Sequence, residues 1–432
     1  MADEFRAEAV QQLVRVASDG AYAARLPGSD EARGLTASVL RWRRYLDFLL
    51  ASAYRSRLAK LEPRLRAILQ VGVYELVLGG TPAHAAVNES VDLAKSLVRP
   101  GAGRLVNGVL RTIERSMDQL PEPEGALEER LAIRWSHPTW MVRRWLQQFG
   151  EASTRMLLAF NNRVPVYTVR AHPVRLEVSA LAERLEALGV RPMPSRWHSE
   201  YLQVQRTGPV VRSELLTEGK AAIQDVAAGL VVNVLSPVAG ERVLDMCAAP
   251  GGKATRIAHV QGDGGDIVAV DLNSRRVRLV RRAAQQQGLN SIDVRAGDVT
   301  ELAAGFDPFD AVLLDAPCSG TGVLSKRADL RWNRHESDLA ELIALQDRLL
   351  DTAARAVKPG GRIVYSTCSL ERDENEERVD AFVSRHPEFE VRDVAGRVPE
   401  PMRTAAGDYA AQPHLHNTDG AFAALIVRAQ TG

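Results

Sequence analysis

Two of the chain's three cysteines stand in small-residue loops that each follow a short apolar run. Val312-Leu-Leu314 leads into Asp315-Ala-Pro-Cys318-Ser-Gly-Thr-Gly322, and Ile363-Val-Tyr365 leads into Ser366-Thr-Cys368-Ser369. Each run reads as a strand, so both thiols fall at strand C-terminal ends, where open α/β sheets place their ligand crevice. One isolated cysteine in such a place is most simply a small buried hydrophobe. Two at equivalent strand ends, one with a carboxylate three residues before it, point to chemistry. A thiolate can add to carbon 6 of a pyrimidine and make carbon 5 nucleophilic, after which a methyl donor alkylates carbon 5 and a base removes its proton.

A third stretch, Val243-Leu-Asp-Met-Cys-Ala-Ala-Pro-Gly-Gly-Lys253, joins an apolar strand to a helix predicted over residues 254–260. Ala248, Ala249, Gly251 and Gly252 carry almost no side chain, so a ligand can approach the backbone and use amide donors at the helix start. Pro250 supplies no donor and stiffens the loop. Twenty positions after Gly251, Asp271 ends a second apolar strand, a position from which a carboxylate can hold two ribose hydroxyls. The loop is not the GxGxxG of dinucleotide enzymes, and adenosine is the expected ligand fragment.

These loops need a sheet to hold them, and from residue 223 onward strand and helix patterns alternate. Strands are predicted at 242–246, 267–270, 293–296, 311–314, 362–366 and 423–427, giving a doubly wound, Rossmann-like α/β domain with its last strand antiparallel. Residues 2–120 carry successive amphipathic patterns, for example at 5–17, 35–53, 65–78, 86–97 and 105–117, and predict an all-α domain. The Pro- and Gly-bearing stretch 119–126 reads as a linker, and the mixed helix and strand signals after it predict a small α+β domain. The expected domains are 1–122, 123–222 and 223–432.

Composition excludes little. The chain has 432 residues, 45% hydrophobic and 25% charged, with no run of eighteen apolar residues and no basic-then-apolar start. A cytoplasmic protein with no membrane partner is expected. Cys247, Cys318 and Cys368 show no metal-ligand spacing and cannot close a disulfide framework, so no metal is expected. Residues 1–120 hold 17 Lys and Arg against 13 Asp and Glu, an excess too small to establish a nucleic-acid partner. Arg41, Arg43, Arg44, Arg55, Arg57, Lys60, Arg64 and Arg66 suit phosphates, although a charge-rich helix face is usually just solvated.

The motifs containing Cys247, Cys318 and Cys368 resemble those of the RNA cytosine-C5 methyltransferases. Gln70-Val-Gly-Val-Tyr-Glu-Leu76, Ala83-His-Ala-Ala-Val-Asn88 and Val106-Asn-Gly-Val-Leu-Arg111 resemble the NusB-like N-terminal domain of the B-type bacterial 16S rRNA enzymes (Sun/Fmu type). Ser136-His-Pro-Thr-Trp140, Asn161-Asn162 and Ile223-Gln-Asp225 also fit, so the resemblance covers nearly the whole chain. It implies S-adenosyl-L-methionine as cofactor and a cytosine of 16S ribosomal RNA as target, on naked RNA or an early small-subunit particle, with a monomeric enzyme. It further implies that Cys247, Ala248, Ala249, Pro250, Gly251, Gly252, Lys253, Asp271, Asp298 and Asp315 form the cofactor pocket. Cys368 is then the nucleophile, Cys318 assists elimination and product release, and Asp315 sits between cofactor and base. Asp298 is placed by the adenine, although such an Asp can equally be a helix N-cap.

DNA cytosine-C5 methyltransferases instead use the cysteine of a Pro-Cys motif, here Cys318, and spacing alone does not decide between the two. A tRNA substrate keeps the same chemistry, and a non-catalytic RNA-binding or transcription adaptor is the non-enzyme alternative. Between the cysteines, Leu324-Ser-Lys-Arg-Ala-Asp-Leu-Arg-Trp-Asn-Arg-His335 combines cations with a tryptophan. Lys326, Arg327, Arg331, Trp332 and Arg334 are therefore expected to contact RNA by phosphate neutralisation and base stacking. Finally, Ala421 departs from the aromatic pair usual after Asp-Gly in the family, which puts the packing of the last strand in question.

Overall fold

The computed structural model describes residues 2–23, 26–54 and 56–430; Arg55 lies outside them. By contact the chain divides into two units, residues 1–163 with 324–336, and residues 164–323 with 337–432. This division differs from the linker-based one. A segment inside the predicted C-terminal domain belongs to the first unit, and the small α+β region shares the second with the larger α/β sheet.

The first unit is helical: α1 (Ala2–Asp19), α2 (Asp30–Ala53), α3 (Pro63–Val77), α4 (Ala83–Leu97), α5 (Ala102–Arg115), α6 (Leu127–Arg134) and α7 (Thr139–Asn161). The starts follow local chemistry. Ser29 caps α2 by accepting from the Ala32 amide, with Asp30 and Glu31 in its first turn, and Pro63 opens α3 where no amide donor is needed. Gly150, at φ 74°, breaks α7 into two helical halves. The apolar stripes meet in one core that includes Val39, Leu46, Ile68, Val87, Val106 and Leu110. Ala328 is buried in the same core and Trp332 packs against it. No described helix is long and apolar enough to cross a membrane.

The second unit holds two sheets. Strands β1 (Tyr167–Ala171), β2 (Met193–Pro194), β3 (Tyr201–Val204) and β4 (Ala221–Ile223) form an antiparallel sheet in the order β2-β3-β1-β4. Helix α8 (Val178–Ala187) supplies Leu181 and Leu185 to its core.

The larger sheet contains β5 (Arg242–Asp245), β6 (Asp266–Asp271), β7 (Ile292–Ala296), β8 (Phe309–Asp315), β9 (Val357–Thr367), β10 (Phe389–Arg392), β11 (Tyr409–Ala411) and β12 (Ala421–Arg428). Its order is β10-β12-β9-β8-β5-β6-β7, with β11 also paired to β12. From β7 to β9 the pairs are parallel, and β12 runs antiparallel to β9, as predicted. The chain winds outward from β5 to β7, then crosses back to β8 and continues to β9. That reversal makes the C-terminal ends of β5 and β8 the switch point where such sheets bind ligands. β12 forms in full despite Ala421, which is buried and pairs with Ala411.

Candidate active site

Three of the expected residues, Asp271, Asp315 and Cys368, stand with Asp245 at the C-terminal ends of four neighbouring strands. Asp245 ends β5, Asp271 ends β6, Asp315 ends β8, and Cys368 follows β9. Asp315 accepts from Lys253 Nζ at 2.6 Å on one oxygen and from Ser366 Oγ at 2.9 Å on the other. Burial disfavours the Lys253 charge, but Asp315, with Asp245 and Cys368 adding, outweighs it and holds the ammonium above the ordinary lysine value. A permanent cation therefore lies within electrostatic reach of Cys368.

The sulfurs of Cys318 and Cys368 are 3.4 Å apart, a thiol contact and not a bond. Backbone bonds fix the two loops: the Ala316 amide donates to the Ser366 carbonyl at 2.8 Å, and the Gly322 amide to the Cys368 carbonyl at 2.9 Å. Gly322 is required by contact, since a Cβ there would meet the Cys368 carbonyl oxygen and the Gly420 Cα at 2.7 Å. The Cys318 thiol is pushed well up, first by its hydrogen bond with Cys368, then by burial, the Cys368 charge and Glu374. Burial and the carboxylates of Asp245, Asp315 and Asp271 push the Cys247 thiol up as well, which removes it as a rival nucleophile.

The Cys247–Gly252 loop is less open in hydrogen bonding than its sequence suggests. The Ala248 amide donates to the Val270 carbonyl, the Gly251 amide to the Ala248 carbonyl, and the Ala249 amide to Asp271 at 3.2 Å. Those three donors serve the loop itself. Gly251, at φ 105°, is the residue before the helix Gly252–Val260, and a Cβ on it would meet Val280 Cα at 3.0 Å. Asp271 is buried and also accepts from the Asn273 amide at 3.0 Å. Asp298, just after β7, is an exposed N-cap that accepts from the Thr300 amide and hydroxyl, and the neighbouring Gly297 amide donates to the Asp271 carbonyl at 3.2 Å.

The curated Bacillus subtilis protein named probable ribosomal RNA small subunit methyltransferase B is 32% identical over 408 residues, covering 91% of this chain and 90% of that one. This chain belongs to the 16S rRNA methyltransferase RsmB/F family. The RsmB/F family model itself matches residues 232–427, a NusB family model matches 4–115, and the RsmF/B-like ferredoxin-like domain model matches 137–211. Ribosomal RNA small subunit methyltransferase B of Serratia proteamaculans is 34% identical over 369 residues, 84% of this chain and 82% of that protein. A crystal structure of the protein PH0851 superposes with a TM-score of 0.81 at 26% identity, covering 97% of this chain and 98% of that one. All the strand-end residues above lie within the part matched by the RsmB/F model.

Within this RsmB/F chain the expected RNA loop needs correction. Arg331 is fully buried in the helical unit. Its guanidinium donates to the carbonyls of Arg41, Ser136 and Asn161 and to Asn162 Oδ1, at 2.8–3.1 Å. Trp332 donates its indole N–H to the Leu40 carbonyl at 2.7 Å. These two side chains fasten the segment 324–336 to the helices, and a buried guanidinium cannot neutralise a phosphate. Lys326, Arg327 and Arg334 are half-buried, with Arg327 over the Tyr22 ring at 5.2 Å.

The structure also adds a residue that sequence reading passed over. Asp245 is 1% exposed, and no full hydrogen bond reaches either carboxylate oxygen. Burial, then Asp315, with Asp271 adding against Lys253, raises its pKa to about 7. The only sequence signal was a carboxylate at the end of an apolar strand.

Because folding raises this pKa, the stability it contributes is fully present below the unfolded value near 4 and is lost as pH rises through about 7. Asp245→Asn is therefore expected to stabilise the ligand-free protein by roughly 2–4 kcal/mol above pH 7 and by little near pH 4. Thermal unfolding across that range checks it, and a pH-independent offset would contradict the assignment.

Proposed function

We propose that this protein transfers a methyl group from S-adenosyl-L-methionine to carbon 5 of a cytosine in 16S ribosomal RNA, through a covalent adduct on Cys368. The observation that carries the proposal is the facing pair of thiols at the ends of β8 and β9, beside the Lys253–Asp315 ion pair. Residues 1–122 and 123–222 are proposed to contribute RNA binding and residues 223–432 the transfer, in the cytoplasm.

The donor set fits the cofactor. Asp271 has both oxygens anchored by one backbone amide each, which leaves acceptor capacity for a ribose diol. Asp245 offers a buried carboxylate with no full hydrogen bond to a ligand that carries positive charge. The small residues of the loop from Cys247 to Gly252 admit close approach. When bound, S-adenosyl-L-methionine supplies an electrophilic methyl group.

The Cys368 sulfur lone pair forms the bond to carbon 6, and the ring electrons move to carbon 5, which takes the methyl. A solvent base takes the carbon 5 proton, the C–H electrons re-form the double bond, and the carbon 6–sulfur bond breaks to release the Cys368 thiolate. Lys253 stabilises that thiolate electrostatically. Cys318, in contact with the Cys368 sulfur, assists the elimination by hydrogen-bonding the departing thiolate. Asp315, held by Lys253 and Ser366, is proposed to accept a hydrogen bond from the base.

Asp271→Ala removes a charge-assisted acceptor, worth about 1.5–3 kcal/mol, and is expected to weaken S-adenosyl-L-methionine binding roughly 10- to 100-fold. Calorimetry reads this, and wild-type affinity would sink the ribose assignment. The function as a whole is tested by bisulfite mapping of small-subunit rRNA from a strain lacking the gene. One 5-methylcytosine should disappear and return on complementation, and an unchanged map would reject the proposal.

A further inference from the structure

Each cysteine is followed immediately by a serine, and the two serines meet on one buried carboxylate. Ser319 and Ser369 are 1% exposed, with their hydroxyl oxygens 3.0 Å apart. Glu374, wholly buried at the end of the turn Arg372–Glu374, accepts from the Ser319 amide at 2.8 Å and from Gln346 Nε2 at 3.0 Å on one oxygen. Its other oxygen accepts from the Ser369 hydroxyl at 2.5 Å and from the Ser319 hydroxyl. Gln346 also donates to the Pro317 carbonyl at 2.9 Å, and Tyr365 donates its phenol to the Glu374 carbonyl at 2.6 Å. Thr321 links the same loops, accepting from the Leu370 amide at 2.9 Å.

A carboxylate held only by neutral donors is expensive to bury, and packing alone would be served by an uncharged side chain. We propose that Glu374 is a positioning residue for the two-cysteine chemistry, clasping Ser319 and Ser369 so that Cys318 and Cys368 face each other at a fixed distance. The inference rests on the two-cysteine reading above and deepens it. The carboxylate also acts on the proton. After the hydrogen bond with Cys368, burial and the Cys368 charge, its charge is a further cause that holds the Cys318 thiol up. Cys368 and Tyr365 also act electrostatically on Cys318, with Arg378 and Asp347 acting on Tyr365.

The test uses the full-length protein and two readouts. Steady-state kinetics of Glu374→Gln with S-adenosyl-L-methionine and small-subunit rRNA should show kcat lower by roughly 10- to 100-fold, with both KM values within about twofold of wild type. Iodoacetamide labelling across pH, mapped by mass spectrometry, should show the Cys318 midpoint at lower pH than in wild type. A wild-type kcat, or an unchanged Cys318 midpoint, would overturn the proposal. Should Glu374→Gln fail to fold, Ser319→Ala and Ser369→Ala replace it. Each should lower kcat, with less than additive losses in the double variant because both hydroxyls serve one carboxylate. Wild-type turnover in both would overturn the proposal equally. Labelling needs neither RNA nor cofactor, so absence of cytosine methylation by the wild-type protein would reject the proposed function separately.

Discussion

Cys318→Ala is expected to accumulate a protein–RNA adduct that survives denaturing electrophoresis, whereas Cys368→Ala forms none. The two thiols touch at 3.4 Å, yet their surroundings differ. Cys318 is held as a thiol by Cys368, burial and Glu374, while Cys368 shares the neighbourhood of the Lys253 cation. Removing the attacking sulfur abolishes bond formation, and turnover should fall on the order of 10⁴-fold or more with cofactor and RNA binding retained. Removing the assisting thiol leaves attack and methylation intact and stalls release. The methylated adduct should require S-adenosyl-L-methionine and vanish in the double variant. A stable adduct in Cys368→Ala would reverse the roles and favour the use of Cys318 seen in DNA-type enzymes.

The second large effect is expected where sequence reading placed RNA and the structure places a core. Arg331→Met should destabilise the helical unit by roughly 3–5 kcal/mol, because it leaves the carbonyls of Arg41, Ser136 and Asn161 without their buried donor. Burial, with Arg41 adding, lowers the guanidinium pKa to about 9, which marks how far this charge is removed from water. Denaturant unfolding followed by helical circular dichroism reads the loss. Unchanged stability with weakened RNA binding would restore the RNA assignment. The same contacts predict that a fragment lacking residues 1–120 is not a clean truncation, since Arg331 and Trp332 lose Arg41 and Leu40.

What the sequence made legible was whatever local periodicity and loop chemistry encode. The five long amphipathic patterns of the N-terminal region became α1 to α5 within a few residues at each end, because each buries one stripe against the others. The parallel strands were visible as short apolar runs, and their small-residue or acidic ends placed Asp271, Asp315, Cys318 and Cys368 on one edge. β4 and β11 escaped notice because three residues carry no periodicity.

Arg331 was misread because a buried structural arginine and an RNA-contacting one look alike in sequence when the acceptors lie 170 to 290 residues away. Glu374 was hidden for a related reason. It sits in the charged run Glu371-Arg-Asp-Glu-Asn-Glu-Glu377, which reads as solvated surface, and only tertiary packing shows that Glu374, like Glu371, is buried.

The central claim, methyl transfer to carbon 5 of a cytosine in small-subunit rRNA, is tested most directly with purified protein, unmethylated rRNA and S-adenosyl-L-methionine labelled in its methyl group. After digestion to nucleosides and mass spectrometry, the label should appear in 5-methylcytidine, and Cys368→Ala should abolish it. Label in any other nucleoside, or undiminished 5-methylcytidine with Cys368→Ala, would contradict the account.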